Sequence, residues 1–167
     1  MVGYNSHMRA FFNYPNPVNE VAARVIAGLT AILVTTAIVF DLRWIAAFLL
    51  YEFTVRVAAG PKISLTAQLA TRVLVPLIGA PARPVPGPPK RFAQALGVLF
   101  TGAACFLWFA AAQSTVAKVV LGMLGACALL EAALGFCVGC AIFLQLMRVG
   151  LIPESTCAAC ANWKARA

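Results

Sequence analysis

Four of the six cysteines in this 167-residue chain fall into two Cys-x-x-Cys pairs, Cys137/Cys140 and Cys157/Cys160. That spacing brings two sulfurs onto one turn of a helix, where one can attack and the other resolve. A helix N-terminus beside such a pair lowers the pKa of the attacking thiol. The inner pair lies in Gly135-Phe136-Cys137-Val138-Gly139-Cys140, just after Glu131, the one carboxylate in a long apolar run. If the helix carrying Glu131 breaks at Gly135, Cys137 starts the next helix, which is the geometry thiol chemistry needs. The reading that follows is thiol–disulfide or sulfane-sulfur (persulfide) chemistry, carried out by a thiol oxidoreductase or sulfur-transfer protein. Cys137 and Cys140 are its membrane-embedded pair, Cys157 and Cys160 a mobile shuttle, and Glu131 a proton partner or structural counter-ion.

Other readings of the same residues stand beside it. Together Cys137, Cys140, Cys157 and Cys160 read C-x2-C-x16-C-x2-C, within the spacing of a four-thiolate zinc site, so zinc is the cofactor the pattern admits. Such sites usually occupy polar knuckles, not membrane helices. A transporter of a small sulfur species, with arginines lining an anion path, is another reading. A scaffold whose cysteines merely pack is the last: Gly135 and Gly139 make a small-xxx-small face, and Cys105 and Cys127 read as packing residues.

The chain is 62% hydrophobic and 11% charged, with a mean hydropathy of +0.89. A soluble domain has roughly 45–50% apolar and about 25% charged residues, so this is an integral membrane protein. The net charge of +8 does not point to nucleic acid. The basic residues form no aromatic-interleaved patch; they sit at the ends of apolar segments, as the positive-inside rule places them. Residues 1–8 read as a foreign leader, with Ser6-His7-Met8 resembling a cloning junction and Met8 a natural start. The only histidine, His7, goes with that leader, so histidine-ligated haem and histidine catalysis are not expected. Residues 9–167 then form a single transmembrane domain.

Those residues need elements to hold them, and the pattern predicts an all-α fold of four transmembrane helices in two hairpins. The spans run over 21–40, 44–58, 92–112 and 118–136. Asn16 reads as the first N-cap, Pro17 as the first helical position, and Glu20 as the acidic residue of the first turn, able to pair with Arg24. The second span is short and carries Glu52 and Arg56 at i, i+4. Between the hairpins, 63–78 reads as an amphipathic interfacial helix capped by Ser64, with Leu65, Leu69, Val73 and Leu77 on one stripe. The proline-rich linker 80–91 reads as extended and non-helical, and Gln113-Ser114-Thr115 as the turn of the second hairpin. Past Gly135, residues 141–147 continue as a partly interfacial helix, and the tail is 153–167.

With both termini on one side, Arg9, Arg24, Arg56, Lys62, Arg72, Arg83, Lys90, Arg91, Arg148, Lys164 and Arg166 share that side, leaving only Arg43 and Lys118 on the other. The positive-inside rule makes the richer side cytoplasmic and puts both cysteine pairs there. Thiols in that compartment are kept reduced, so permanent structural disulfides are disfavoured. At ~1.5 Å per residue, Glu131 lies about 20 Å from the outer surface and Arg56 about 18 Å. A Glu131–Arg56 pair, with Glu52 nearby, would neutralise charges that are expensive at that depth.

Several stretches taken together resemble one known family. They are Pro15-Asn16-Pro17-Val18-Asn19-Glu20, Ala59-Gly60-Pro61, Pro86-Gly87-Pro88-Pro89-Lys90-Arg91-Phe92-Ala93-Gln94, Leu130-Glu131 and Gly135-Phe136-Cys137-Val138-Gly139-Cys140. The family is the bacterial domain of unknown function 4395, and the likeness covers nearly all of the chain beyond the leader. It implies a small protein of the bacterial plasma membrane. Members are often encoded beside thioredoxin-like or rhodanese-like proteins, which implies a soluble partner of that kind and traffic in thiols or sulfur.

Overall fold

The computed structural model describes residues 16–157 and Cys160. The leader at 1–8 and the charges Arg9, Lys164 and Arg166 lie outside the described residues.

A short strand, β1 (Val18–Asn19), leads into α1 (Glu20–Val39). The N-cap is Asn19, whose side chain accepts from Val21 N, and not Asn16 as the sequence suggests. Asn16 instead accepts from Gly87 N at 3.1 Å, because the extended chain up to Asn19 is committed to pairing. Helix α2 (Arg43–Ala59) follows a tight turn. Helix α3 spans Leu65–Ile78, with a wider π turn over Ala70–Leu74. Its cap is Ser64, accepting from Ala67 N, as expected.

The linker departs from expectation at its far end. Pro84–Val85 forms β2, antiparallel to β1 with Val18 opposite Val85, so this part is extended. Helix α4 then starts at Gly87 and runs as Gly87–Ala110, five residues earlier than the pattern predicts. Pro88 and Pro89 occupy the first turn, where a missing N–H costs nothing and a fixed φ suits the helix. The next turn is correspondingly 111–113, since α5 begins at Ser114 (Ser114–Leu134). Gly135, at φ +70°, closes α5 in the left-handed conformation that glycine adopts freely. Helix α6 (Val138–Arg148) follows, and a single 3-10 turn over Glu154–Thr156 comes after it.

Helices α1, α4 and α5 are long and apolar enough to cross a membrane. Their outward faces carry Ile32, Leu99, Phe106, Val119 and Leu129, all exposed, which suits lipid and not water. The packing joins helices distant in sequence: α1 lies along α5 and α2 along α4. Asp41 bonds Lys118 at 2.6 Å, while at the opposite end Arg24 reaches Ala132. Helices α1 and α5 are therefore antiparallel. The buried core of Val34, Leu49, Phe53, Trp108 and Leu121 fills the bundle between these pairs.

On α3 the stripe of Leu65, Leu69, Val73 and Leu77 is fully on the outside, whereas Thr66, Ala67 and Ala70 are buried against the bundle. A helix that docks through small residues and turns its leucines outward has the asymmetry of an interfacial helix.

Candidate functional site

The end of the bundle away from Asp41 and Lys118 gathers the chemistry. There α5 stops at Gly135 and the chain re-enters a helix three residues later, with Cys137 as N-cap. Its Sγ accepts from Cys140 N at 3.2 Å. Cys137 and Cys140 are joined as a disulfide, and so are Cys157 and Cys160, with Cα–Cα 5.2 Å in each. The break at Gly135 and the position of Cys137 at a helix start follow the sequence expectation. Gly135 and Gly139 do not share a helix face, because the break falls between them. Gly139 alone makes the close contact: a Cβ there would stand 2.6 Å from Ala93 Cβ and 2.7 Å from Ala93 Cα. That glycine lets α6 lie directly on α4.

The tail folds back onto this junction. Cys157 and Cys160 are buried, 5% exposed each, among Phe143 and Met147 of α6, Phe92 of α4 and Ile152. The rings of Phe92 and Phe143 meet at a tilt of 56°, 5.6 Å between centroids. A cleft of about 370 Å³ opens beside them, and Cys137, Cys140 and Cys160 all line it, together with Glu20, Lys90 and Phe136. Sulfurs from both pairs therefore border one space, although the pairs are separated by the length of α6.

Glu131 pairs with Lys90 Nζ, not with Arg56. The correction follows from the early start of α4: Lys90 sits in its first turn, buried, and points at α5 instead of lying in an exposed linker. Arg56 donates through Nε to the Glu52 carbonyl oxygen at 3.0 Å, and its guanidinium covers the Phe53 ring at 4.3 Å. Glu52 forms no side-chain pair with Arg56 either. Its fully buried carboxylate accepts from Ser64 Oγ (2.6 Å), Leu65 N (2.9 Å), Thr66 N (3.1 Å) and Thr66 Oγ1. It holds the N-terminus of α3 against α2. Arg24, expected beside Glu20, donates to the carbonyls of Ala132 (3.1 and 3.2 Å) and Ala133 (2.8 Å). Those are the open acceptors of the last turn of α5, and a cation is favoured there.

Above the cleft, inside the bundle, lies a second cavity of about 290 Å³. It is walled by Ile26, Phe53, Phe100 and Leu124, with Arg56, Gln94 and Glu131 as polar points and Cys127 and Cys137 on its edge. Cys105, like Cys127, is a free, half-buried thiol, and it packs against the main core. Among the described residues no group of three or more His, Cys, Asp or Glu side chains is gathered as a metal site requires. The four cysteines proposed for zinc are divided between the two disulfides.

Sequence reasoning missed Lys90, Arg24 and Gln94 as parts of this region. For Lys90 the signal was present, since Gly87-Pro88-Pro89 suits a helix start as well as a linker. Arg24 and Gln94 act on partners brought in by folding, and nothing local marks them.

The family model described as Domain of unknown function (DUF4395) matches residues 18–148. Neither the curated proteins nor the solved structures offer a match to the chain. The match covers most of the chain, including the inner cysteine pair and Glu131, and the chain belongs to this family.

Proposed function

We propose that this DUF4395 member is a membrane thiol–disulfide exchange protein, in which the Cys157/Cys160 pair passes electrons to the Cys137/Cys140 pair. One observation carries the reading: Cys137, Cys140 and Cys160 line a single cleft, each in a disulfide with its Cys-x-x-Cys partner. A thiolate from the tail attacks a sulfur of the inner disulfide and forms a mixed disulfide. The remaining tail thiol resolves it, leaving an oxidised tail and a reduced inner pair. Cys137, at the N-terminus of α6, is the inner sulfur best placed to exist as a thiolate. Glu131, held by Lys90 at the same junction, is the carboxylate in position to relay its proton. A persulfide could be handed on by the same sulfurs, which would make the protein a sulfur carrier.

The client would be a soluble thioredoxin-like or rhodanese-like protein. Because both tail cysteines are buried, the tail must lift from Phe92 and Phe143 to meet it. The molecule would sit in the bacterial plasma membrane with four spans, α2 crossing as well, in two hairpins. Both termini and both pairs would then be cytoplasmic. Charge supports this orientation: Arg43 and Lys118 lie at one end, and Arg24, Lys90 and Arg91 at the other.

Thiol trapping of the intact protein tests the exchange. Cys160→Ser should leave the inner pair unable to be reduced by a soluble dithiol protein. Cys140→Ser should accumulate a disulfide between Cys137 and the tail. Four thiols that are protected from alkylation until a chelator is added would instead establish the zinc site. Four thiols alkylated at one rate, with neither metal nor reversible disulfide, would leave packing as the role of the cysteines.

A further inference from the structure

Disulfide exchange only moves electrons between sulfurs, so a pair that accepts them needs somewhere to send them. Among the described residues, Cys137 is the one that lines both the cleft shared with the tail and the 290 Å³ cavity inside the bundle. The Glu131–Lys90 pair bridges the same wall, with Glu131 on the cavity and Lys90 on the cleft. The cavity has the size of a small-molecule site at its lower limit of ~300 Å³, enough for one substituted ring. Its walls suit a flat apolar group, with the rings of Phe53 and Phe100 among aliphatic side chains.

Two further features specify the ligand. Met123 and Ile142 line the cavity and are also exposed, 54% and 42%, on the apolar outer surface of α5 and α6. The cavity therefore opens sideways, toward lipid, and a ligand dissolved in the membrane can enter with its tail left outside. At its inner side Gln94 lines the cavity with a buried Oε1 that has no hydrogen-bond partner. A buried amide oxygen without a partner is costly, and an amide is suited to a ligand that changes hydrogen-bonding character. Its NH2 group can donate to a carbonyl, and its oxygen can accept from a hydroxyl.

We propose that this cavity binds the ring of a membrane-dissolved quinone, which takes the electrons of the Cys137/Cys140 pair. The inference rests on the exchange reading above. The reaction balances: the two thiols lose two protons and two electrons and form one S–S bond. The quinone gains both and becomes a hydroquinone, each ring oxygen acquiring a hydrogen. Gln94 is the positioning residue, donating to a quinone oxygen before the transfer and accepting from the hydroxyl after it.

The test uses the full chain, reduced, freed of reductant and placed in lipid vesicles without oxygen. Decylubiquinone is the probe, because its fully substituted ring leaves no open carbon for a thiolate to add to. The expected result is one hydroquinone formed per two thiols lost, at a rate that saturates with quinone. Cys137→Ser should abolish it. Ala128→Phe, which fills the cavity from α5, should abolish quinone reduction while thiol trapping still shows exchange between the two pairs. Gln94→Leu should raise the quinone concentration needed for half-maximal rate and leave the exchange untouched. A rate linear in quinone and unchanged by Ala128→Phe would overturn the cavity as the site, even with exchange intact. Saturable quinone reduction by a protein whose pairs do not exchange would uphold the site and sink the tail relay instead.

Discussion

Glu131 was conspicuous in the sequence because a carboxylate inside an apolar run must be neutralised, and that expectation holds. Its partner was misjudged for a simple reason. Depth along the second and fourth spans sets Arg56 level with Glu131, and reading 80–91 as a linker leaves Lys90 out of the comparison; a helix start at Gly87 carries Lys90 into the bundle beside Glu131. The two alternatives differ in a double-mutant cycle. Glu131→Gln leaves the Lys90 ammonium, 9% exposed, without its counter-ion, and should cost about 3 kcal/mol. Lys90→Met in the same protein should recover most of that loss, because the two changes together bury no charge. Arg56→Met combined with Glu131→Gln should show no such recovery. Thermal unfolding in detergent reads the cycle, and recovery with Arg56 in place of Lys90 would reverse the assignment.

Among the elements, local chemistry was readable and contacts over distance were not. Ser64 as a cap, the leucine stripe of α3 and the stop at Gly135 each follow from residues within a turn of one another. The carboxylate of Glu52 bonds backbone N–H groups thirteen and fourteen residues away, and no side-chain pattern announces that. The same holds for α6 on α4. Gly139 permits their contact, and an added methyl meets Ala93 backbone, which has no flexible end to move aside. Gly139→Ala should therefore cost roughly 1–3 kcal/mol by overpacking. Because α6 carries Phe143 and Met147, it should also loosen the tail they cover. Alkylation of Cys157 and Cys160 after mild reduction should accelerate in this variant. Ala93→Gly added to it should recover only part of both stability and protection, since it removes the 2.6 Å contact with Ala93 Cβ and leaves the 2.7 Å contact with its Cα. If the tail stays equally protected in Gly139→Ala, its docking does not depend on the seat of α6.

At the scale of the molecule, the helical fold and the three helices long and apolar enough to cross a membrane were legible, because hydropathy over about 20 residues is a strong signal. The pairing of α1 with α5 and α2 with α4 was not, since helices apolar on every side do not reveal which face meets which partner. Nor was the return of the tail. The status of α2 decides the topology. It has 17 residues, about 25 Å at ~1.5 Å each, short for a span yet antiparallel to α4 along its length, with Leu50 opposite Gly102 and Val57 bonded to Arg91. Its buried polar residues, Glu52 and Arg56, face protein and not lipid, so shortness does not expose them to the bilayer. If α2 crosses, the turn at Phe40 and the segment at Lys62 lie on opposite sides. In a variant with the six cysteines replaced, Phe40→Cys and Ser114→Cys should react with an impermeant maleimide from outside intact cells. Lys62→Cys and Ala82→Cys should react only after the membrane is opened. Phe40 and Lys62 reacting from the same side would reduce the protein to three spans and put its termini on opposite faces. The reverse pattern at all four positions would keep the bundle but move both cysteine pairs to the outer, oxidising side. The pairs would then stand as disulfides by default and not as cycling thiols.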